Sequence, residues 1–151
     1  MVKLMEDEVM VAFATYATIV IVKMMLMAPL TAYYRIRRGA FSNEEDVGTK
    51  SAEEKKKLLR TDPDVERVRR CHQNDLENIV PFLVLGLLYA LTGPDLWTAL
   101  LHYRLFTGSR IFHTISYVAA LPQPCRGLSW LVGLVTTFSM AYKVLSTVLL
   151  Q

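Results

Sequence analysis

The sequence predicts an all-α protein, a bundle of four transmembrane helices, and three observations carry that expectation. Hydrophobic residues make up 52% of the chain and mean hydropathy is +0.27, yet 21% of residues are charged. A soluble domain mixes charge among apolar residues, whereas here the charges are segregated from long apolar blocks. Finally, 11 of the 17 Lys and Arg fall between Arg35 and Arg70, a polar interval separating the first apolar block from the rest. We expect residues 1–151 to form one membrane domain, with helices at about 9–34, 63–91, 96–120 and 127–150 and a cytosolic loop at about 35–62.

The first block, Val9 to Tyr34, is apolar apart from Lys23 and some Thr and Tyr, long enough to cross about 30 Å of hydrocarbon. The leader before it is acidic and the block is too long for a signal-peptide core, so a cleaved signal is disfavoured. Lys23 within it is either a snorkelling stem or a buried partner for a carboxylate. The loop from Arg35 to Asp64 carries both charge signs, with some helix expected across Ser51 to Leu59.

Thr61-Asp62-Pro63-Asp64 reads as a helix start, with Thr61 or Asp62 as the cap and acidic residues at the positive end of the dipole. That second helix begins in water and stops at Thr92-Gly93-Pro94. Asp95 caps a third, in which His102, Arg104, Arg110 and His113 interrupt the apolar pattern; charged groups at that depth need protein or a polar cavity beside them. Leu121-Pro122-Gln123-Pro124-Cys125 reads as a tight turn, placing Arg126 at the start of the fourth helix. The positive-inside rule puts the long loop in the cytosol and both ends of the chain on the far side.

The stretch from Glu66 to Glu77 runs without a break into the apolar segment Ile79 to Leu91. On one helix Arg70, Asn74 and Glu77 fall at i, i+4 and i+7, so a guanidinium, an amide and a carboxylate share a face near the membrane boundary. Such a face can hold a zwitterion, or it is a solvated helix end whose charges pair with one another. Arg110, His113 and Tyr117 share a face of the third helix in the same way, at the same cytosolic rim as Arg35 and Arg126. Several arginines at one depth suit the carboxylates of an anionic peptide, with Glu77 for its ammonium; they suit lipid headgroups equally. Glutathione fits the first description. Its thiol ionises near ~8.5 in water, so an enzyme using it must stabilise the thiolate, and a desolvated guanidinium such as that of Arg126 is suited to this.

Other classes are excluded. A net charge of +3 without basic residues interleaved with aromatics speaks against nucleic acid. Cys71 and Cys125 give neither a disulfide framework nor a metal-binding spacing, so no metal is expected.

Four segments together resemble a known family: Val65 to Phe82 (VERVRRCHQNDLENIVPF), Phe41 to Asp46 (FSNEED), Arg110 to Tyr117 (RIFHTISY) and Leu121 to Gly127 (LPQPCRG). They resemble the membrane-associated proteins in eicosanoid and glutathione metabolism, and within them the microsomal glutathione transferase branch. The resemblance implies a four-helix membrane protomer and a homotrimer with glutathione as co-substrate between subunits. It also implies residence in the endoplasmic reticulum membrane, with the mitochondrial outer membrane as a second location, and a site facing the cytosol. Carried over by position, Arg35, Arg69, Arg70, His72, Asn74, Glu77 and Tyr117 would contact glutathione, Arg110 and His113 would support them, and Arg126 would stabilise the thiolate. His72 and Arg69 do not share the Arg70 face on a helical wheel and would reach the ligand differently, for example across a subunit boundary.

Departures from the family pattern matter too. Cys71 stands where alanine is usual, and Val47 where the transferase branch carries a reactive loop cysteine, which removes the basis for thiol-triggered activation. Asp46 and Arg126 also match the prostaglandin E synthase branch, but a serine follows the arginine there and Gly127 follows it here. The implied function is therefore conjugation of glutathione to hydrophobic electrophiles, with glutathione peroxidase activity toward lipid hydroperoxides. The alternatives are a glutathione-dependent prostaglandin isomerase and a non-catalytic lipid-presenting membrane protein.

Overall fold

The computed structural model describes residues 6–150, and all its regular elements are helical: α1 Glu8–Arg38, α2 Ala52–Leu58, α3 Pro63–Leu91, α4 Leu96–Val118 and α5 Gln123–Leu149, with a 3-10 turn at Glu44–Val47. Three of them, α1, α3 and α5, are long and apolar enough to cross a membrane. The fourth long helix, α4, carries Arg104, Arg110, His102 and His113 and does not meet that standard of apolarity. It packs against α1, α3 and α5, and α3 also packs against α1 and α5.

The helix limits follow from local chemistry. Asp7 caps α1 through Oδ1, accepting from Val9 N at 2.8 Å. Beyond the expected end near Tyr34 the helix continues for another turn, because Arg35 to Arg38 are good helix formers and their charges suit the negative end of the dipole. It stops at Gly39, whose φ of 57° and ψ of 48° a side chain would disfavour. Asp62, one of the two expected caps, starts α3 by accepting from Asp64 N at 2.9 Å, with Pro63 in the first turn. Asp95 caps α4 by accepting from Thr98 N at 2.9 Å, and hydrogen bonding from the Thr98 side chain and backbone holds its carboxyl below the ordinary value.

At α5 the sequence reading needs correction. The segment expected as a turn is mostly helix: Gln123, Pro124 and Cys125 form its first turn, so Arg126 is the fourth residue rather than the first. Proline is tolerated there because the first helical N–H groups have no partner inside the helix.

The loop is folded back onto the end of α1. Phe41 N donates to Leu58 O at 2.8 Å, Arg60 Nη2 to Arg38 O at 2.8 Å, and Arg38 pairs with Asp64 at the start of α3. A capping box between Ser51 and Glu54 starts α2 and lowers the Glu54 pKa through the Ser51 hydroxyl. Val47, at the end of the 3-10 turn of this loop, is buried.

An aromatic core holds the long helices together. Phe82 of α3 and Phe106 of α4 stack at 3.8 Å, and Tyr103 meets Phe82 edge-on at 6.3 Å. Phe13 of α1 can approach because Gly86 lacks a side chain: a Cβ there would lie 2.8 Å from the Phe13 ring. Between lipid-facing helices, close packing of this kind supplies attraction that apolar burial supplies in water.

Two stability outcomes are expected from thermal unfolding in detergent. Gly86→Val should lower the midpoint, because the Phe13 ring is itself packed on Tyr103 at 5.7 Å. Ala120, which ends α4 with a φ of 54°, should raise the midpoint when changed to Gly, by relief of about 1 kcal/mol of left-handed strain.

Candidate functional site

The buried stripe of α3 is Val65, Val68, Cys71, Asp75, Ile79, Phe82 and Gly86, spaced by three and four residues, and one of its members is a carboxylate. Asp75 is wholly buried and is held from two sides, by Lys23 of α1 and by Arg110 of α4, whose Nη2 donates to Oδ1 at 2.8 Å. Of the two readings of Lys23, the buried carboxylate partner is the one realised; its side chain is 14% exposed. Removing one member of such a group leaves an unpaired buried charge, at a cost of about 3–5 kcal/mol.

A polar chain leads outward from this centre. Arg110 Nη2 also donates to Asn74 Oδ1 at 2.8 Å and lies 3.1 Å from His113 Nδ1. The His113 ring meets the Tyr117 ring at 5.1 Å, and the Arg126 guanidinium sits 4.8 Å over the face of Tyr117. Arg126 Nε donates to Gln123 Oε1 at 3.2 Å, one helical turn away. Asn74, His113, Tyr117, Gln123, Arg126, Gly127 and Trp130 line a cavity of about 240 Å³. Stacking on Tyr117 holds the Arg126 charge by a cation–π contact, and with Nε and Nη2 both donating to Gln123 Oε1, the remaining N–H groups of the guanidinium are those left to meet an anion.

A second cavity, of about 730 Å³, opens between the end of α1 and the start of α3. Arg35, Arg69, Arg70 and His72 line it with Phe41, Asp46, Glu66 and Gln73. Arg69 pairs with Glu66 at 2.8 Å, and Asp46 accepts from Asn43 Nδ2 at 3.2 Å. Arg35 Nε is buried without a partner, and among the described residues Arg70 forms no ion pair. The volume lies within the usual range for small-molecule sites, and two guanidiniums without carboxylates suit a ligand bearing two or more.

The residues expected at the site are thus divided between two places. Arg69 and His72 join Arg70 in one cavity of the same chain, despite their separation on the helical wheel. Asn74 belongs instead to the cavity of Arg126, drawn inward by Arg110. Glu77 is exposed, accepts from Gln73 Nε2 at 3.2 Å, and borders neither cavity. Arg110 is fully buried and reaches the smaller cavity through Asn74 and His113. Sequence reasoning passed over Asp75, although its register with the apolar stripe of α3 marked it as buried and Lys23 advertised the need for a carboxylate. It also passed over Gln123 and Trp130 in the smaller cavity and Glu66 in the larger one, none of which carries a signal before the helices are packed.

Comparison with known proteins shows the family. Residues 13–146 match the MAPEG family. The chain is 59% identical over 146 residues to microsomal glutathione S-transferase 1 of Homo sapiens, covering 96% of this chain and 94% of that protein, and equally so to the Sus scrofa protein of that name. To the prostaglandin E synthase of Bos taurus it is 36% identical over 142 residues, 94% of this chain and 91% of the other. An all-helical chain with three membrane-long apolar helices, matched by these relatives over nearly its whole length, belongs to the MAPEG family.

Proposed function

We propose that this chain is a membrane-bound glutathione S-transferase, conjugating glutathione thiolate to hydrophobic electrophiles and reducing lipid hydroperoxides as a glutathione peroxidase. The observation that carries the reading is the cavity beneath Arg126, where a guanidinium braced on Tyr117 faces Asn74 and His113. Identity of 59% to proteins named glutathione S-transferases supports it.

The two cavities divide the work. The arginines of the larger one, Arg35, Arg69 and Arg70, bind the carboxylates of glutathione, with His72 beside them. In the smaller one Arg126 takes the negative charge of the sulfur as the thiol proton leaves to water, and Asn74 and Tyr117 complete the pocket. The thiolate then attacks the electrophilic carbon, and the leaving group departs as its anion. Binding, thiolate stabilisation and proximity suffice for this chemistry.

Within one chain no single cavity collects all of these groups, which favours a homotrimer of four-helix membrane protomers with glutathione between subunits. An exposed apolar stripe along α3, including Leu76, Val80, Val84, Leu87, Leu88 and Leu91, offers the surface for such assembly. Glu77, which borders neither cavity, lies at the upper end of this stripe and would meet the ligand of a neighbouring subunit. In our reading residues 1–151 form one membrane domain in the endoplasmic reticulum, with the cavities on the cytosolic side and substrates arriving through the bilayer.

Conjugation of chlorodinitrobenzene by the detergent-purified protein tests the reading. Arg126→Leu should lower the rate at saturating glutathione by about 100-fold, the scale for loss of one charge-stabilising donor, while glutathione binding stays within a few-fold of the parent. Arg70→Met should do the reverse, raising the glutathione KM by about tenfold with kcat little changed, since it removes a contact made equally before and during reaction. Asp46 in the larger cavity favours a second reading, isomerisation of a prostaglandin endoperoxide. Turnover of that substrate without glutathione consumption, in a parent inactive with chlorodinitrobenzene, would establish it instead. A parent that binds no glutathione would leave a lipid-presenting protein.

A further inference from the structure

Asp75 borders neither cavity, yet the geometry around it decides what the smaller cavity can offer a ligand. A guanidinium has only donors. Since Arg110 Nη2 lies 2.8 Å from Asn74 Oδ1, the amide oxygen of Asn74 is consumed inside the protein, and its Nδ2 donors are left for the cavity. The same nitrogen lies 3.1 Å from His113 Nδ1. The two Nη2 hydrogens are directed at Asn74 and Asp75, so His113 Nδ1 meets the cationic guanidinium itself; a proton on Nδ1 would face that charge with no acceptor, so Nδ1 presents its lone pair, and the ring hydrogen of a neutral His113 sits on Nε2. Asn74 and His113 both line the cavity of Arg126. One buried donor-only group therefore turns two amphoteric side chains into donors beside a cation.

Arg110 can do this only while something holds it. Its Nη2 is anchored by Asp75 Oδ1 at 2.8 Å, whereas its Nε and Nη1 are buried without partners, so the carboxylate is its one charged anchor among the described residues. The groups facing Asp75 are Lys23 from α1, Arg110 from α4 with His113 beyond it, and Asn74 and Cys71 on α3 itself; the Cys71 thiol is engaged with Thr114 Oγ1 at 3.6 Å. From α5, Arg126 lies over the ring of Tyr117, which packs on His113.

We propose that Asp75 is a positioning residue for thiolate binding: by anchoring Arg110 it sets Asn74 and His113 as hydrogen-bond donors toward the anion held by Arg126. The proposal rests on the glutathione reading given above. Asp75 touches no substrate, and its effect should appear in how strongly the site favours thiolate over thiol, while retention of the tripeptide depends on the arginines of the other cavity.

The test follows the ultraviolet absorbance of the bound thiolate against pH in the full-length protein in detergent, with glutathione binding measured by equilibrium dialysis. In Asp75→Asn the midpoint of thiolate formation should rise by about one pH unit, with the Kd for glutathione within about threefold of the parent. Added to an Asn74→Leu, His113→Gln background, Asp75→Asn should move the midpoint no further, because the groups it acts through are gone. Should Asp75→Asn fail to fold, Arg110→Lys makes the same test, keeping the buried charge while replacing the planar fork with a point donor. An unmoved midpoint in a variant that binds glutathione, or a full additional shift in the doubly substituted background, overturns the positioning role and leaves the transferase reading intact. A parent that neither binds glutathione nor forms its thiolate removes both together.

Discussion

The buried carboxylate of Asp75 is the constraint on which the rest of the structure depends. It sits in register with the apolar stripe of α3, and it is retained between Lys23 of α1 and Arg110 of α4. A charge at that depth is tolerable only with its partners in place, so three helices are keyed to one relative rotation. The aromatic core below, from Phe13 through Phe82 and Tyr103 to Phe106, adds attraction but is less selective about geometry. Apolar surfaces can slide past one another; an ion cluster cannot.

From this keyed centre the site grows in one direction only. Arg110 passes the constraint to Asn74 and His113, His113 packs on Tyr117, and Tyr117 carries Arg126. Each contact orients the next, so the outermost guanidinium is placed by a chain of side chains that begins inside the protein. The larger cavity is built differently. Its arginines project from the ends of α1 and α3 and are framed by a loop that Phe41, Arg60 and Arg38 tie down. One cavity is wired to the core; the other, about 730 Å³ against 240 Å³, is roomier, and its walls are helix ends and loop. A ligand with a reactive end and a charged tail is matched to that pairing.

Part of the geometry of the candidate site was legible in advance. The stripe of Arg110, His113 and Tyr117 emerged from helical spacing and is realised as a continuous set of contacts. Arg35 and Arg70 followed from their place at the rim and line one cavity. Other features were hidden. Helical spacing places Arg70, Asn74 and Glu77 on one face, but the pull of Arg110 on the Asn74 amide assigns that residue to a different cavity from Arg70. The first turn of α5 looked like a loop because two prolines usually mark one, and only the helix start explains why both are harmless there.

What the amino-acid order determined by itself is what depends on neighbours along the chain. Capping aspartates at 7, 62 and 95, the stop at Gly39 and the lengths of the apolar runs set the helices, because hydrogen bonds at helix ends and the reach of a helix are local properties. Family membership was likewise readable, since it rests on the order and spacing of motifs. Only the tertiary structure decided that Lys23 meets Asp75, that Asn74 turns toward Arg110, and that the polar groups divide between two cavities. Those outcomes depend on the rotation of each helix about its own axis, which the packing of its neighbours determines and no single segment encodes.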